Sequence, residues 1–392
     1  MSESTNGKSG ASADRLHLVF LASVGWEFPL ISRQRMLVEA WQRRGQPATF
    51  VQVPSYRTAI ERLLGRGSSG VVVRPWPTYP SRFWSRVGEG RLQRSIAGRA
   101  KSLKRDLDKR VDWESAIALV SSPVWAPWLG ELPFRHVVYD CVDDLSVNVP
   151  RSELTTLFDR WEDDLLQHTE QAVVTATPLG RDLEERCEGL KATLIQNAVD
   201  AEGFEARARA TQAPAEIAEL ARGDRPVVGF VGALFRWVDW GLIASVANAN
   251  PDYRFVLVGP HDGSPGMESV NGLDNVHVFD KQPYDLVPSI IATFSVAWVP
   301  FRLGRIASSA NPLKIYEYLS VGKSVVTTPV ADVELFGEHV SVGETPDEIS
   351  AHVRARVEQG IQGKEERIVF AKANSWEQRA EAYLDFVSSF ER

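Results

Sequence analysis

The segment SSANPLKIYEYLSVGK, residues 308–323, gathers residue types that handle anions. Asn311 is a good helix cap, Pro312 suits a first helical position and Gly322 suits a stop. The spacing therefore predicts a helix whose amino end carries partial positive charge from unpaired N–H groups and aligned peptide dipoles, a natural seat for a phosphate. Lys314 and Glu317 lie three apart, on one face of that helix. A cation for a diphosphate beside a carboxylate for ribose hydroxyls would address a single nucleotide, although an exposed Lys–Glu pair on a surface helix satisfies the same spacing. The tail Gly322-Lys323-Ser324 imitates a P-loop, but the glycine needed five positions earlier is Glu317. Its order, helix and then strand, is also the reverse of a P-loop's.

Two further groups carry chemistry. Asp140-Cys141-Val142-Asp143-Asp144 closes an apolar run, so Asp140, Asp143 and Asp144 are candidate catalytic carboxylates for positioning hydroxyls or assisting as a base. Capping of the following loop explains them equally well. Arg33 and Gln34, just after the first apolar run, are candidates for acceptor or phosphate contact, with ordinary solvation of a helix start as the plainer reading.

Segment 82–110 is strongly basic, with ten Lys and Arg against three acidic residues, a net of +7 in a chain whose net charge is −7. Phe83, Trp84, Leu92, Ile96 and Leu103 interleave with the cations. A basic helix of this kind is expected either to be solvated or to lie on an anionic bilayer, placing the protein in the cytoplasm, peripheral on the inner face of the membrane. The acidic net charge argues against nonspecific nucleic-acid binding.

Positioning such groups is the task of sequential βα units. Short apolar runs at 15–23, 48–54, 70–76, 116–123, 136–143, 171–177 and 193–199 alternate with helical periods, and a second series follows at 226–232, 253–259, 276–280, 294–301 and 324–329. This rhythm predicts an α/β fold of two Rossmann-like parallel-sheet domains facing across a cleft, where the carboxyl ends of the strands bind ligands. The expected boundaries are a disordered tail (1–14), a first domain (15–203), a linker (204–225) poor in large apolar residues, a second domain (226–373), and a closing helix (374–392) packing back on the first domain. Trp376, Ala380, Tyr383 and Val387 form one stripe of that helix.

Length and composition agree. The 392 residues, 44% apolar and 24% charged, suffice for two cores. Two cysteines supply neither a disulfide framework nor a cysteine-rich metal site, which fits a reducing compartment. The first fourteen residues lack the apolar core of a signal peptide, and no 18-residue apolar run follows.

NPLKIYEYLSVGKSVVTTP, preceded by FSVAWVPF, resembles the donor-binding segment of bacterial group 1 glycosyltransferases of the GT-B fold, nearest to the teichuronic-acid and exopolysaccharide type. The likeness extends to VVGFVGALFRWVDW (227–240), FVLVGPHDG (255–263), VVYDCVDDLSVNVP (137–150) and WEFPLISRQRMLVEAWQRRG (26–45). The resemblance implies a metal-independent, anomer-retaining transferase without a cofactor. Its second domain would hold a nucleotide-diphosphate sugar and its first a glycan, lipid-linked or small-molecule acceptor. It also implies that Glu317 holds the ribose and that the turn at Gly232 lies under the diphosphate.

Two departures stand out. Ser309 occupies the position, eight before Glu317, where the family often has a second glutamate. The loop GALFRWVDWG lacks the usual placement of Arg and Lys, leaving Arg236 as the substitute, or as a guanidinium stacked on Trp237 or Trp240. Leaving-group stabilisation then falls to Arg236, Lys314 and the amides after Asn311. A nucleotide-sugar epimerase of the same fold and a catalytically silent nucleotide- or lipid-binding partner are the alternatives. GxSxG and HExxH are missing from the sequence, and its one Asp-x-Asp, Asp106-Leu107-Asp108, sits in the basic arm.

Overall fold

The computed structural model describes residues 16–28, 32–64, 70–79, 83–144, 153–261 and 263–391. They divide into two compact units: unit 1 is Met1–Ile195 with Arg379–Arg392, and unit 2 is Gln196–Gln378. The expected tail at 1–14, Arg82 and residues 145–150 lie outside the described residues.

Unit 1 is built on strands β1 (His17–Leu21), β2 (Ala48–Val51), β3 (Val72–Val73), β4 (Ala116–Val120), β5 (His136–Cys141), β6 (Gln171–Val174) and β7 (Lys191–Leu194). Its sheet has the order β3-β2-β1-β4-β5-β6-β7. Every pairing is parallel, with Leu18 opposite Ala48 on one side and Ile117 on the other. The central strands HLVFL and AIALV are nearly continuous in apolar residues because helices cover both faces of a parallel sheet.

The main helices of this unit are α1 (Arg33–Arg43), α2 (Tyr56–Leu63), α3 (Glu89–Leu107), α4 (Glu153–Gln167) and α5 (Thr177–Arg186). Ser32 starts α1 by accepting a hydrogen bond from the Arg35 amide. In α3, Leu92, Ile96, Leu103 and Leu107 form a buried stripe against unit 1, while Arg91, Arg94, Arg99, Lys101 and Arg105 are exposed. The aliphatic residues of the basic arm thus serve the protein core and are withdrawn from any bilayer. The Asp-x-Asp of that arm is spent on ion pairs: Asp106 with Arg62 at 2.8 Å and Asp108 with Lys104 at 2.7 Å.

Unit 2 contains α6 (Ala201–Ala210) and α7 (Ala215–Ala221), then β8 (Val227–Val231), α8 (Trp240–Ala249), β9 (Arg254–Val258), β10 (Val276–Phe279), α9 (Val287–Ala292), β11 (Val296–Val299), α10 (Leu313–Ser320), β12 (Val325–Thr327), β13 (Val340–Val342), α11 (Pro346–Gln359) and α12 (Lys364–Ala373). The order of its parallel sheet is β10-β9-β8-β11-β12-β13. One apolar cluster centred on Ile290, Phe294, Ile315 and Leu319 and another on Trp240, Ile243, Phe255 and Trp298 fill its core.

The expected linker at 204–225 is instead helical. Phe204 and Ile217 are buried in the core of unit 2, and charged residues beside them pair at the surface, Arg209 with Glu205 and Arg222 with Glu219, both at 2.6 Å. Two well-spaced apolar side chains anchor α6 and α7, so a low apolar content did not mark a free connection.

The last helix, α13 (Trp376–Ser388), brings the chain back to unit 1 after Gln378. There the Trp41 indole donates to the Ala380 carbonyl at 2.9 Å, and its ring meets Tyr383 edge-on at 5.6 Å. Among the described residues no helix is long and apolar enough to cross a membrane.

Candidate functional site

In unit 2 the strand order reverses between β8 and β11, and the crevice outside the carboxyl ends of two such strands is where open α/β sheets take ligands. The chain leaves β8 through Gly232, whose amide donates to the Val258 carbonyl at 2.9 Å. A Cβ on Gly259 would fall 1.7 Å from the Gly232 carbonyl oxygen, so only glycine lets these two turns touch. The loop that follows is tied to the end of β11: Asp239 N–H donates to Pro300 O at 2.8 Å and Arg302 N–H to Trp237 O at 2.7 Å. Arg236 lies half-buried in that loop, where Phe235 and Trp237 pack edge-on at 5.1 Å and the Trp237 indole is held by the Ala233 carbonyl.

Helix α10 faces this turn. Its hydroxyl-bearing Tyr318 accepts a hydrogen bond from the Val231 amide at 2.9 Å, which fixes the helix against the last residue of β8. Burial pushes the Tyr318 phenol above its ordinary range, so it stays a neutral hydrogen-bonding anchor. The helix starts at Leu313, with Pro312 in the cap position and no side-chain cap. Asn311 is buried and serves otherwise: its Oδ1 accepts from the Asn197 amide at 2.9 Å and the Tyr316 hydroxyl at 3.3 Å, and its carbonyl accepts from Asn197 Nδ2 at 2.7 Å. The expected cap is therefore absent because its acceptor is already engaged. Pro312 offers the polarised end of α10 no side-chain hydrogen bond, which suits an anion-binding end.

Lys314 and Glu317 form the face of this helix that matters. The ammonium reaches Glu317 Oε2 at 2.8 Å, with the lysine side chain 23% exposed and the glutamate 2%. Lys314 also lies across Gly232, its Cε 3.5 Å from where a Cβ would stand there. The other carboxylate oxygen, Oε1, accepts from the Tyr284 hydroxyl at 3.1 Å. Burial and the nearby Glu317 charge push the Tyr284 phenol well above its ordinary range, which keeps it a donor. Phe204 packs edge-on against the Tyr284 ring at 5.6 Å, and Arg207 stands 6.0 Å from the ring centre. Gly232, Lys314 and Glu317 are thus gathered at the switch point, with Arg236 in the adjoining loop.

Sequence reasoning missed Tyr284, for which no local signal exists. Tyr318 left one: a hydroxyl-bearing aromatic next to Glu317 on an apolar helix needs a partner when buried.

The remaining expectations fall elsewhere. Ser309 is buried and donates to the Arg305 carbonyl at 2.5 Å, so its hydroxyl closes a short helical turn. Lys323 of the P-loop look-alike donates to the carbonyls of Ala292 and Phe294 at 2.7 and 2.6 Å, capping the end of α9. Burial, helped by Lys364 and Arg367, lowers its pKa to about 8.

In unit 1, Arg33 and Asp140 are buried and paired at 3.5 Å, and the Tyr383 hydroxyl donates to Asp140 Oδ1. Arg33 also donates to the Ile195 carbonyl at 2.7 Å and to Tyr383 at 3.0 Å. Gln34 is buried too, donating to Ser23 at 3.2 Å and accepting from Ser32 at 2.6 Å. Arg33, read as an acceptor or phosphate contact, and Asp140, read as a candidate catalytic carboxylate, are engaged in holding α1, β5 and α13 together, while Gln34 is engaged by Ser23 and Ser32. Asp143 is exposed and Asp144 half-buried just beyond β5.

Residues 225–359 match the family described as glycosyl transferases group 1, a stretch that contains β8–β13 together with Gly232, Arg236, Tyr284, Lys314 and Glu317. The chain therefore carries a group 1 glycosyl transferase domain. Over 203 residues it is 26% identical to TuaH of Bacillus subtilis, a protein assigned as a teichuronic acid biosynthesis glycosyltransferase, covering 49% of this chain and 50% of TuaH. The chain thus spans about half the length of the curated relative it matches. A glycosyltransferase from Rickettsia africae superposes with a TM-score of 0.68 at 11% identity, covering 96% of this chain and 99% of its own. Anabaena HepE, solved with UDP, superposes with a TM-score of 0.67 at 15% identity, covering 95% and 100%. At these identities the likeness establishes the fold, which is GT-B.

Proposed function

We propose that the protein is a glycosyltransferase that moves a sugar from a nucleoside-diphosphate donor, gripped by unit 2, to a glycan, lipid-linked or small-molecule acceptor. The observation that carries this reading is the constellation at the switch point. An uncapped helix end, a partly exposed lysine and a buried carboxylate gather near a glycine turn, inside a domain of the group 1 family. Lys314 and the first amides of α10 suit the diphosphate, Arg236 stands in the adjoining loop, and Glu317 suits a ribose diol. HepE binds UDP, which makes uridine nucleotides the first donors to test.

In transfer, the bond from the anomeric carbon to the diphosphate oxygen breaks with its electron pair on the phosphate. The acceptor oxygen bonds the same carbon, and its proton passes to the departing phosphate, so no dedicated base is required. Charge accumulates on the leaving group as the ring becomes cationic, and preorganised donors at the diphosphate lower that barrier most. We assign this duty to the protein's own cations and amides, with retention at the anomeric carbon and no divalent metal.

Calorimetry with UDP and GDP, followed by incubation with a panel of nucleotide sugars, tests the reading. Nucleotide binding together with transfer, or slow release of free diphosphate, is expected. An epimerised sugar in the absence of acceptor, or binding with no turnover on any donor, would replace the proposal.

A further inference from the structure

At the amino ends of β11 and β12, the edge of the sheet opposite the switch-point crevice, unit 2 holds an open cavity of about 450 Å³. Ser295 and Ser324, the residues that precede these strands, line it together with the turn at 321–323 and Lys364 at the start of α12. Phe294 and Ile368 supply buried apolar wall. Ile361, 83% exposed, adds an apolar side chain that the fold leaves in water.

Positive charge converges there without a counter-ion. Lys323, Lys364 and Arg367 form no ion pair among the described residues. Burial lowers the Lys323 pKa, and the charges of Lys364 and Arg367 push it the same way, so the three cations share one field. Lys323 spends two of its three N–H donors on the Ala292 and Phe294 carbonyls, which leaves the third. Arg367 is 2% exposed and donates through Nε to the carbonyl of Gly322, a residue of the cavity wall, at 3.0 Å. Its Nη2 and the buried Ser324 hydroxyl have no hydrogen-bond partner among the described residues, although buried polar groups ordinarily find one. Gly363 gives α12 no side-chain cap, so the first amides of that helix are free for an anion. The neighbouring carboxylates do not cancel this field: Glu205 is already paired with Arg209 at 2.6 Å and Lys372 at 3.3 Å, whereas Glu365 and Glu366 are exposed.

We propose that this cavity is a second ligand site, for a small phosphate monoester with an apolar body. The phosphoryl oxygens take the remaining Lys323 donor, the Lys364 ammonium, the Ser324 hydroxyl and the amides of α12, while the body lies on Phe294, Ile361 and Ile368. A dianion suits the field of three cations better than a carboxylate does, because each charge-assisted hydrogen bond gains from the second negative charge. The proposal is independent of the donor-site reading: Lys314 and Glu317 lie earlier on α10 and are not part of this cavity.

Calorimetry of the full chain with phenyl phosphate provides the test, with benzoate and inorganic phosphate as comparisons and thermal unfolding as a control. Phenyl phosphate is expected to bind roughly tenfold or more tightly than benzoate, which has the same ring and less charge, and than inorganic phosphate, which lacks the ring. Lys364→Glu, at an exposed side chain, should weaken it roughly tenfold or more with an unchanged melting temperature, and Ser324→Ala by roughly three- to tenfold. Lys314→Ala should leave the affinity as it is. No binding overturns the proposal, as does undiminished binding by the folded Lys364→Glu variant. A loss confined to Lys314→Ala moves the anion to the donor site and likewise overturns it, and benzoate binding as tightly as phenyl phosphate rejects the phosphate assignment. Sugar transfer enters none of these readouts, so failure here and failure of the donor reading are told apart.

Discussion

Each unit buries a carboxylate beside a cation and a tyrosine hydroxyl, and the two constellations do different work. Asp140 meets Arg33 and Tyr383 in unit 1, whereas Glu317 meets Lys314 and Tyr284 in unit 2. In the first, the cation's side chain is 2% exposed and the three groups come from α1, β5 and α13, far apart in sequence. In the second, the lysine side chain is 23% exposed and shares a single helical turn with its glutamate. A charged cluster that joins distant elements and excludes water is a brace. One whose cation and carboxylate share a helical turn, next to a glycine turn at a strand reversal, is the one proposed to face a ligand. Residue types alone do not separate the two; the topology around them does.

The sharpest way to break this contrast is to remove the brace. Asp140→Ala leaves the Arg33 guanidinium buried without its counter-charge, so unit 1 should lose about 3–5 kcal/mol, read from urea unfolding. Combining it with Arg33→Met should recover a large part of that loss, and a single variant with unchanged stability would show that Asp140 braces nothing. Next in size, Lys314→Ala should lower turnover by roughly a hundred- to a thousandfold, with a smaller loss of nucleotide affinity. Equal losses in both would restrict the lysine to ground-state binding. Glu317→Ala, with the fold intact by circular dichroism, should weaken nucleotide binding by roughly ten- to a hundredfold in calorimetry, the worth of hydrogen bonds to a charged group. The smallest effect belongs to Tyr284→Phe. Removing only the hydroxyl that steadies Glu317 should reduce nucleotide affinity by roughly two- to tenfold. No change there would mean that Lys314 alone orients the carboxylate.

Much of the fold was legible because parallel strands buried on both faces are written as unbroken apolar runs, HLVFL and AIALV being the plainest. Strand β13 escaped notice because VSV, three residues long with two of them half-buried, carries too little pattern. The helices at 201–221 were hidden for a related reason: two buried side chains, Phe204 and Ile217, anchor them amid alanine and charge.

At the candidate site, the Lys314–Glu317 pair could be read from spacing, since neighbours on a helical turn are fixed by local geometry. What could not be read depended on distant partners. Asn311 has the right type for a cap, yet Asn197 claims its side-chain oxygen from more than a hundred positions away. Asp140 stands at a strand end as a catalytic acid would, yet α13 arrives from the far end of the chain to cover it.

That late arrival has a consequence for how the protein is made. As the chain emerges from the ribosome, all seven strands of unit 1 are available by Leu194, but Tyr383 and the carbonyl that receives the Trp41 indole are still untranslated. The nascent amino-terminal half therefore waits, with Arg33 and Trp41 incompletely satisfied, while unit 2 is synthesised and folds. Truncation before residue 379 would freeze the molecule in that unfinished state.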